Sequence, residues 1–243
     1  MASSLKIHMF PCLNDNYGFL VHSPDTGETA AIDSPEAAKI LAACKEKGWE
    51  LTHIWNTHHH FDHVGGNLEL QKSHGVEIIG PGHDVKRIPG LTKGVHGGES
   101  FTFGGHEVHV FETPGHTTSH IIYHIPSAQT AFVGDTIFVL GCGRLFEGTP
   151  AQMYDSLKAI CALPAETKLY CAHEYTLSNA RFAITVEPDN QDLIDYIAYA
   201  KSLREQNTPT VPTTVAMELK NNPFVRARSA KRLGEIRAAK DIF

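Results

Sequence analysis

The 243-residue chain carries 21 Lys and Arg against 27 Asp and Glu, a formal charge of -6, with 42% hydrophobic residues. That length can bury a substantial core, as one large domain or as one domain plus a small one. The acidic balance speaks against nucleic-acid binding, and no apolar run is long enough to cross a bilayer. The first residues, Met1 to Lys6, lack the apolar core of a secretory signal and the arginine-rich character of a transit peptide. A cytoplasmic address is expected, with a mitochondrial form left open. The five cysteines, Cys12, Cys44, Cys142, Cys161 and Cys171, are scattered with no CxxC pair. Free, mostly buried thiols in a reducing compartment fit best.

In chain order, residues 6–10, 18–22 and 29–32 read as short strands separated by turn residues. Ser34-Pro35 predicts a helix start, serine as N-cap and proline at N1. Ala38, Ile40, Leu41 and Cys44 continue that helix to Gly48. Residues 51–55 form the next strand, 66–74 a helix and 76–79 a strand. Gly104-Gly105 predicts a hairpin between 101–103 and 107–111. A second hairpin joins 121–125 to 130–133. Residues 150–163 are helical and 168–172 make a last strand.

After His173 the texture changes. Residues 174–186 read as a helix, and Asp189 is placed to cap another over 190–206. Shorter helical pieces follow, divided by Pro209, Pro212 and Pro223. Between Lys220 and Phe243 seven Lys or Arg stand against Glu235 and Asp241, so this tail is basic on an acidic protein. A solvated helix face and a subsite for a small anion both account for that. The order implies an α/β sandwich over residues 1–173 with an appended helical domain over 174–243.

The chemistry concentrates in Thr57-His58-His59-His60-Phe61-Asp62-His63-Val64-Gly65-Gly66. Alternate residues of an extended segment share a direction, so His58 and His60 can hold one ion while His59 points elsewhere. Asp62 and His63, in the turn that follows, can face a second ion. His116, Asp135 and His173 lie just after strand-like runs, where loops gather a site on a rigid scaffold. A carboxylate has two oxygens, so Asp135 can bridge. The assignment is His58, His60, His116 and Asp135 for one ion, and Asp62, His63, His173 and Asp135 for the other. Both sets mix imidazole and carboxylate, which suits two Zn2+ and tolerates iron or manganese. Cys142 reads as a small buried residue. Asp33 admits two readings, an orienting partner for a ligand histidine or a plain turn residue.

The run His58 to His63 is the signature of the metallo-β-lactamase superfamily. Over almost its whole length the chain resembles the glyoxalase II (hydroxyacylglutathione hydrolase) family within it. Carrying that resemblance are Leu13 to Tyr17, Thr113-Pro114-Gly115-His116-Thr117, Gly134 to Phe138, and Gly141-Cys142-Gly143-Arg144 with Glu147-Gly148-Thr149. His173-Glu174-Tyr175-Thr176 and Asn222 to Arg226 complete it. The resemblance implies a four-layer αββα sandwich with a C-terminal helical domain. It also implies hydrolysis of S-(R)-lactoylglutathione to D-lactate and glutathione, the second step of methylglyoxal detoxification. In that chemistry Asp62 and Asp135 hold a metal-bridging hydroxide as the nucleophile. The resemblance gives substrate contacts to Arg144, Tyr175, Arg237 and Lys240, the last two as the pair that holds the glycine carboxylate of glutathione. Phe146 stands where some relatives carry tyrosine, so a hydroxyl contact is absent there.

Three rivals remain at this level: a sulfur (persulfide) oxygenase of the same superfamily using one iron, a nuclease or lactonase on the same fold, and a non-catalytic metal-binding protein. A monomer acting on a glutathione thioester, with no nucleic-acid or membrane partner, is expected.

Overall fold

The computed structural model describes residues 3–243. They divide into two compact units, the first running to Glu112 and resuming over Ile121–Phe132, the second made of Thr113–His120 and Val133–Phe243.

The first unit opens with three antiparallel strands, β1 (Lys6–Cys12), β2 (Asn16–His22) and β3 (Thr29–Ile32). Helix α1 (Ala37–Lys47) leads to β4 (His53–Trp55), and the short α2 (Phe61–Val64) and α3 (Asn67–His74) lead to β5 (Glu77–Pro81) and β6 (Lys93–Val95). From β3 to β6 the pairing is parallel, because helical crossovers return the chain to the same edge direction. The first sheet therefore runs β1-β2-β3-β4-β5-β6. Strands β7 (Ser100–Phe103), β8 (His106–Glu112) and β9 (Ile121–Ile125) belong to the second, antiparallel at these pairs.

Alternation along β4 shows how this unit is glued. Ile54 joins the helix-facing core with Leu20, Ile40, Leu70 and Ile78. Trp55 points the other way, 5.2, 4.9 and 5.4 Å from the rings of Phe101, Phe103 and Tyr123. Both are fully buried, and each side chain of this size contributes about 1.5–3 kcal/mol by leaving water. The tip of β4 is thus held from both faces, and the histidine run starts three residues later.

The chain crosses between units inside β10 (Thr130–Gly134). A small hairpin follows, β11 (Ile137–Phe138) and β12 (Gly141–Cys142), then α4 (Pro150–Cys161), β13 (Lys168–Cys171), α5 (Thr176–Val186), α6 (Gln191–Glu205), β14 (Thr213–Thr214), α7 (Val215–Asn221) and α8 (Ala230–Asp241). The second sheet runs β14-β13-β10-β9-β8-β7. Helix α4 starts on a full capping box of Thr149 and Gln152 with proline at its first position, which satisfies two backbone donors at once. No helix among the described residues is long and apolar enough to cross a membrane.

Two expected caps are corrected. Helix α1 begins at Ala37 with Glu36 as N-cap. Ser34 is instead buried against α3, its hydroxyl donating to Asn67 Oδ1 at 2.6 Å and its carbonyl accepting from Gly66 N at 2.8 Å. At α6 the cap is Asn190, whose side chain accepts from Leu193 N at 3.2 Å, and not Asp189. Strands β6, β11, β12 and β14 are two or three residues long, too short for alternation to register.

Candidate metal centre

In the first unit, the end of β4 and the one-turn α2 gather four of the expected ligands. His58 Nε2 and His60 Nδ1 face each other at 3.1 Å. His63 Nε2 lies 3.4 Å from Asp62 Oδ2, and the His58 and His63 rings are 4.0 Å apart. His59 turns away, its Nδ1 3.2 Å from Asp84 Oδ2. Behind the ligands lies Asp33, which resolves its two readings: it accepts from His63 Nδ1 at 2.7 Å, from Thr57 N at 2.7 Å and from the Thr57 hydroxyl at 2.9 Å. Those bonds fix the His63 tautomer and turn Nε2 toward Asp62. Asn16 Nδ2 donates to Asp62 Oδ2 at 3.0 Å and holds that carboxylate in turn.

The second unit gathers the other three. Asp135 Oδ2 is 3.4 Å from His116 Nε2 and 3.4 Å from His173 Nε2, and all three residues are buried. His116 Nδ1 donates to the Arg144 carbonyl at 2.9 Å. His120, not singled out from the sequence, accepts from Asp135 N through Nε2 at 3.1 Å while Nδ1 meets the hydroxyls of Thr113 and Thr136 at 3.1 Å each. Gly143 lets the loop pass over the ligands; a Cβ there would stand 2.1 Å from the Asp135 carbonyl oxygen and 3.0 Å from His116 Nδ1.

Both donor sets fit a divalent ion. Metal–ligand bonds of about 2.0–2.2 Å in tetrahedral geometry put neighbouring donor atoms roughly 3.3–3.6 Å apart. The carboxylate–imidazole pairs at Asp62–His63, His116–Asp135 and His173–Asp135 have that spacing. Imidazole nitrogen and carboxylate oxygen are the donors that bind zinc, iron or manganese.

The expected substrate residues lie in the second unit. The Tyr175 ring stacks on His173 with centroids 4.6 Å apart and planes 4° from parallel. Arg144 directs its guanidinium to Asp241, 3.1 Å away, and over the Phe146 ring at 5.9 Å. Arg237 is not a solvated surface residue: it is 6% exposed, donates to the Cys142 carbonyl at 2.9 Å and pairs with Asp241 at 3.0 Å. Lys240 donates to Asn179 Oδ1. The Phe224 ring underlies both cations, at 5.2 and 5.9 Å. Burial, and then the Arg237 charge beside it, push Lys240 down to about 8.

Burial pushes the Cys142 and Cys171 thiols up, away from the reactive thiolate.

Residues 25–173 match the family model of the metallo-beta-lactamase superfamily, and residues 174–243 match that of the hydroxyacylglutathione hydrolase C-terminus. The hydroxyacylglutathione hydrolase of Maricaulis maris is 55% identical over 224 residues, 92% of this chain and 88% of that protein. The chain belongs to the hydroxyacylglutathione hydrolase family. The member from Hyphomonas neptunium is 48% identical across 100% of both chains. Among solved structures, ETHE1 from Myxococcus xanthus superposes with a TM-score of 0.73 at 25% identity, covering 97% of this chain and 90% of that one. The BLEG-1 B3 metallo-beta-lactamase gives 0.69 at 19% identity, with 90% and 99% covered, and shares the fold. The fold is therefore the α/β metallo-β-lactamase sandwich with a C-terminal helical region, and the chain is a hydrolase of this family. The more distant ETHE1 does not favour an oxygenase reading over the relatives near 50% identity.

Proposed function

We propose that the chain hydrolyses the thioester of S-(R)-lactoylglutathione and related S-2-hydroxyacylglutathiones, yielding D-lactate or its analogue and glutathione. The observation that carries this reading is the buried Arg237 beside the half-buried Lys240, set in the segment that matches the hydroxyacylglutathione hydrolase C-terminus. Glutathione presents two carboxylates, and two partly desolvated cations reward one of them more than fully exposed lysines do.

In this reading residues 1–173 form the metal domain and 174–243 the substrate-binding domain. His58, His60, His116 and Asp135 hold one ion, and Asp62, His63, His173 and Asp135 the other. Bound there, two divalent ions supply an acidified water and positive charge for the oxygen of the carbonyl under attack. Asp33 and the Arg144 carbonyl fix the tautomers of His63 and His116. Asp62 and Asp135 are the carboxylates that would hold the ions on which the nucleophilic hydroxide forms. Arg237 and Lys240 take the glycine carboxylate, while Tyr175 and Arg144 bind the peptide. Collapse of the tetrahedral adduct breaks the C–S bond and expels a thiolate, whose conjugate thiol has a pKa of about 8.5, so it leaves without general-acid help. That is why no Ser-His-Asp triad is needed. Zinc is the resident metal of this reading, and the protein acts as a cytoplasmic monomer without nucleic acid.

The test is turnover of purified, metal-loaded protein with S-(R)-lactoylglutathione. Thioester absorbance falls, with D-lactate and free thiol released in equal amounts. An unchanged thioester, or oxygen uptake with glutathione persulfide in its place, refutes the assignment.

A further inference from the structure

Away from these ligands the first unit brings together His83, His96 and Glu112, whose donor atoms lie within 4.8 Å of one another. His83 belongs to a 3-10 turn, Gly82–Asp84, that follows β5. His96 follows β6, and Glu112 ends β8. Residues far apart in sequence thus converge from two sheets.

Two of the three donor pairs have the spacing of a coordination sphere. His96 Nδ1 stands 3.3 Å from His83 Nε2, and His83 Nε2 stands 3.5 Å from Glu112 Oε1. Donors around a tetrahedral zinc are separated by roughly 3.3–3.6 Å. The two rings meet edge to face, with centroids 4.6 Å apart, so their nitrogens converge where stacked rings would not. The backbone is shaped to allow it. A Cβ at Gly82 would stand 2.4 Å from His96 Nε2 and 2.6 Å from its Cε1, so only glycine lets that ring lie against the turn. Gly97 N donates to Glu112 Oε1 at 3.2 Å and His96 N to Glu99 Oε2 at 3.0 Å, which fixes the carboxylate and the backbone that carries His96. With His83 and Glu112 partly open to solvent, at 63% and 44% exposure, an ion can enter and water can complete its shell.

We propose that His83, His96 and Glu112 form a separate binding site for one divalent transition ion of the zinc type. Two imidazoles and one carboxylate select zinc or copper over magnesium and calcium, which need oxygen-rich shells. The site clips the turn after β5 to the end of β8. It is independent of the reading given above for activity.

The experiment uses the full chain with its resident metals loaded, then titrates Zn2+ by equilibrium dialysis. One further ion binds per chain, and a large excess of Mg2+ does not compete. His83→Ala weakens that binding by at least roughly tenfold, and the H83A/H96A pair abolishes it. Resident metal content and basal thioesterase activity are unchanged in both. Because His83 is exposed, its variant folds; Glu112→Gln, which keeps the volume, gives a second reading of the same site. Failure to bind a further ion overturns the proposal, as does a further ion held with the same affinity by H83A/H96A.

Discussion

Asp33 Oδ2 accepts a hydrogen bond from His63 Nδ1 at 2.7 Å, and both side chains are buried. Asp33 makes this contact from a left-handed backbone conformation, φ 57°, which a non-glycine residue adopts at a cost of roughly 1–2 kcal/mol. The strain sits where β3 ends, and it aims a carboxylate at the ligand turn. Asp33→Ala is expected to weaken metal binding by about 10–100-fold, with Asp33→Asn intermediate because its amide oxygen still accepts. Metal retained against a series of chelator concentrations measures this. Equal retention by wild type and D33A would show that His63 needs no such partner.

The cation pair has its own pH signature. Burial and Arg237 hold Lys240 near 8, so its charge is present below that pH and fades above it. A carboxylate binds the charged form, so KM for the glutathione thioester rises as pH climbs through about 8. Lys240→Ala flattens that rise and lifts KM at neutral pH. Arg237→Ala likewise acts mainly on KM. A fall in kcat at constant KM in R237A contradicts the assignment of Arg237 to binding.

Glu218 ties α7 to the hairpin that carries Leu140. It accepts from Leu140 N, the Thr213 hydroxyl and Asn222 Nδ2 at 3.0, 2.7 and 2.9 Å, yet burial raises its carboxyl to about 7. A folded value above the unfolded one means the native state binds the extra proton between about 4.5 and 7. This group's contribution to stability is therefore complete below about 4.5 and is lost as pH rises through 7, an effect of a few kcal/mol at most. Glu218→Gln removes that dependence. Chemical denaturation at pH 5 and pH 8 measures it, and an equal pH slope in E218Q and wild type rejects it.

The cysteine thiols give a simpler test. Burial pushes Cys12 and Cys161 up to about 12 and Cys44 up to about 11. Iodoacetamide at neutral pH should leave the folded, metal-loaded enzyme fully active. Rapid inactivation that tracks modification of Cys142 would restore a role for a thiol.

The candidate ligands could be picked out because their chemistry is local. The His58 to His63 run reads as a ligand turn from alternation alone, and the structure turns His59 away toward Asp84. The supporting residues were less legible for the opposite reason. His120 reaches Asp135 N across fifteen residues, where no local pattern marks the partner, and Asp33, thirty residues from His63, stayed divided between two readings. Ser34 failed as a cap because packing on Asn67 outweighed its intrinsic preference. The basic tail was ambiguous for the same cause: charge composition cannot say that Arg237 turns inward onto Phe224 while Arg232 pairs with Glu235 at the surface.

Asp135 carries the central claim, since one carboxylate is assigned to both ions. The most direct measurement is metal content per chain, by elemental analysis, of Asp135→Ala beside the wild-type protein. The account expects two ions in the wild type and loss of both, together with activity, in the variant. Two ions retained by D135A would contradict it.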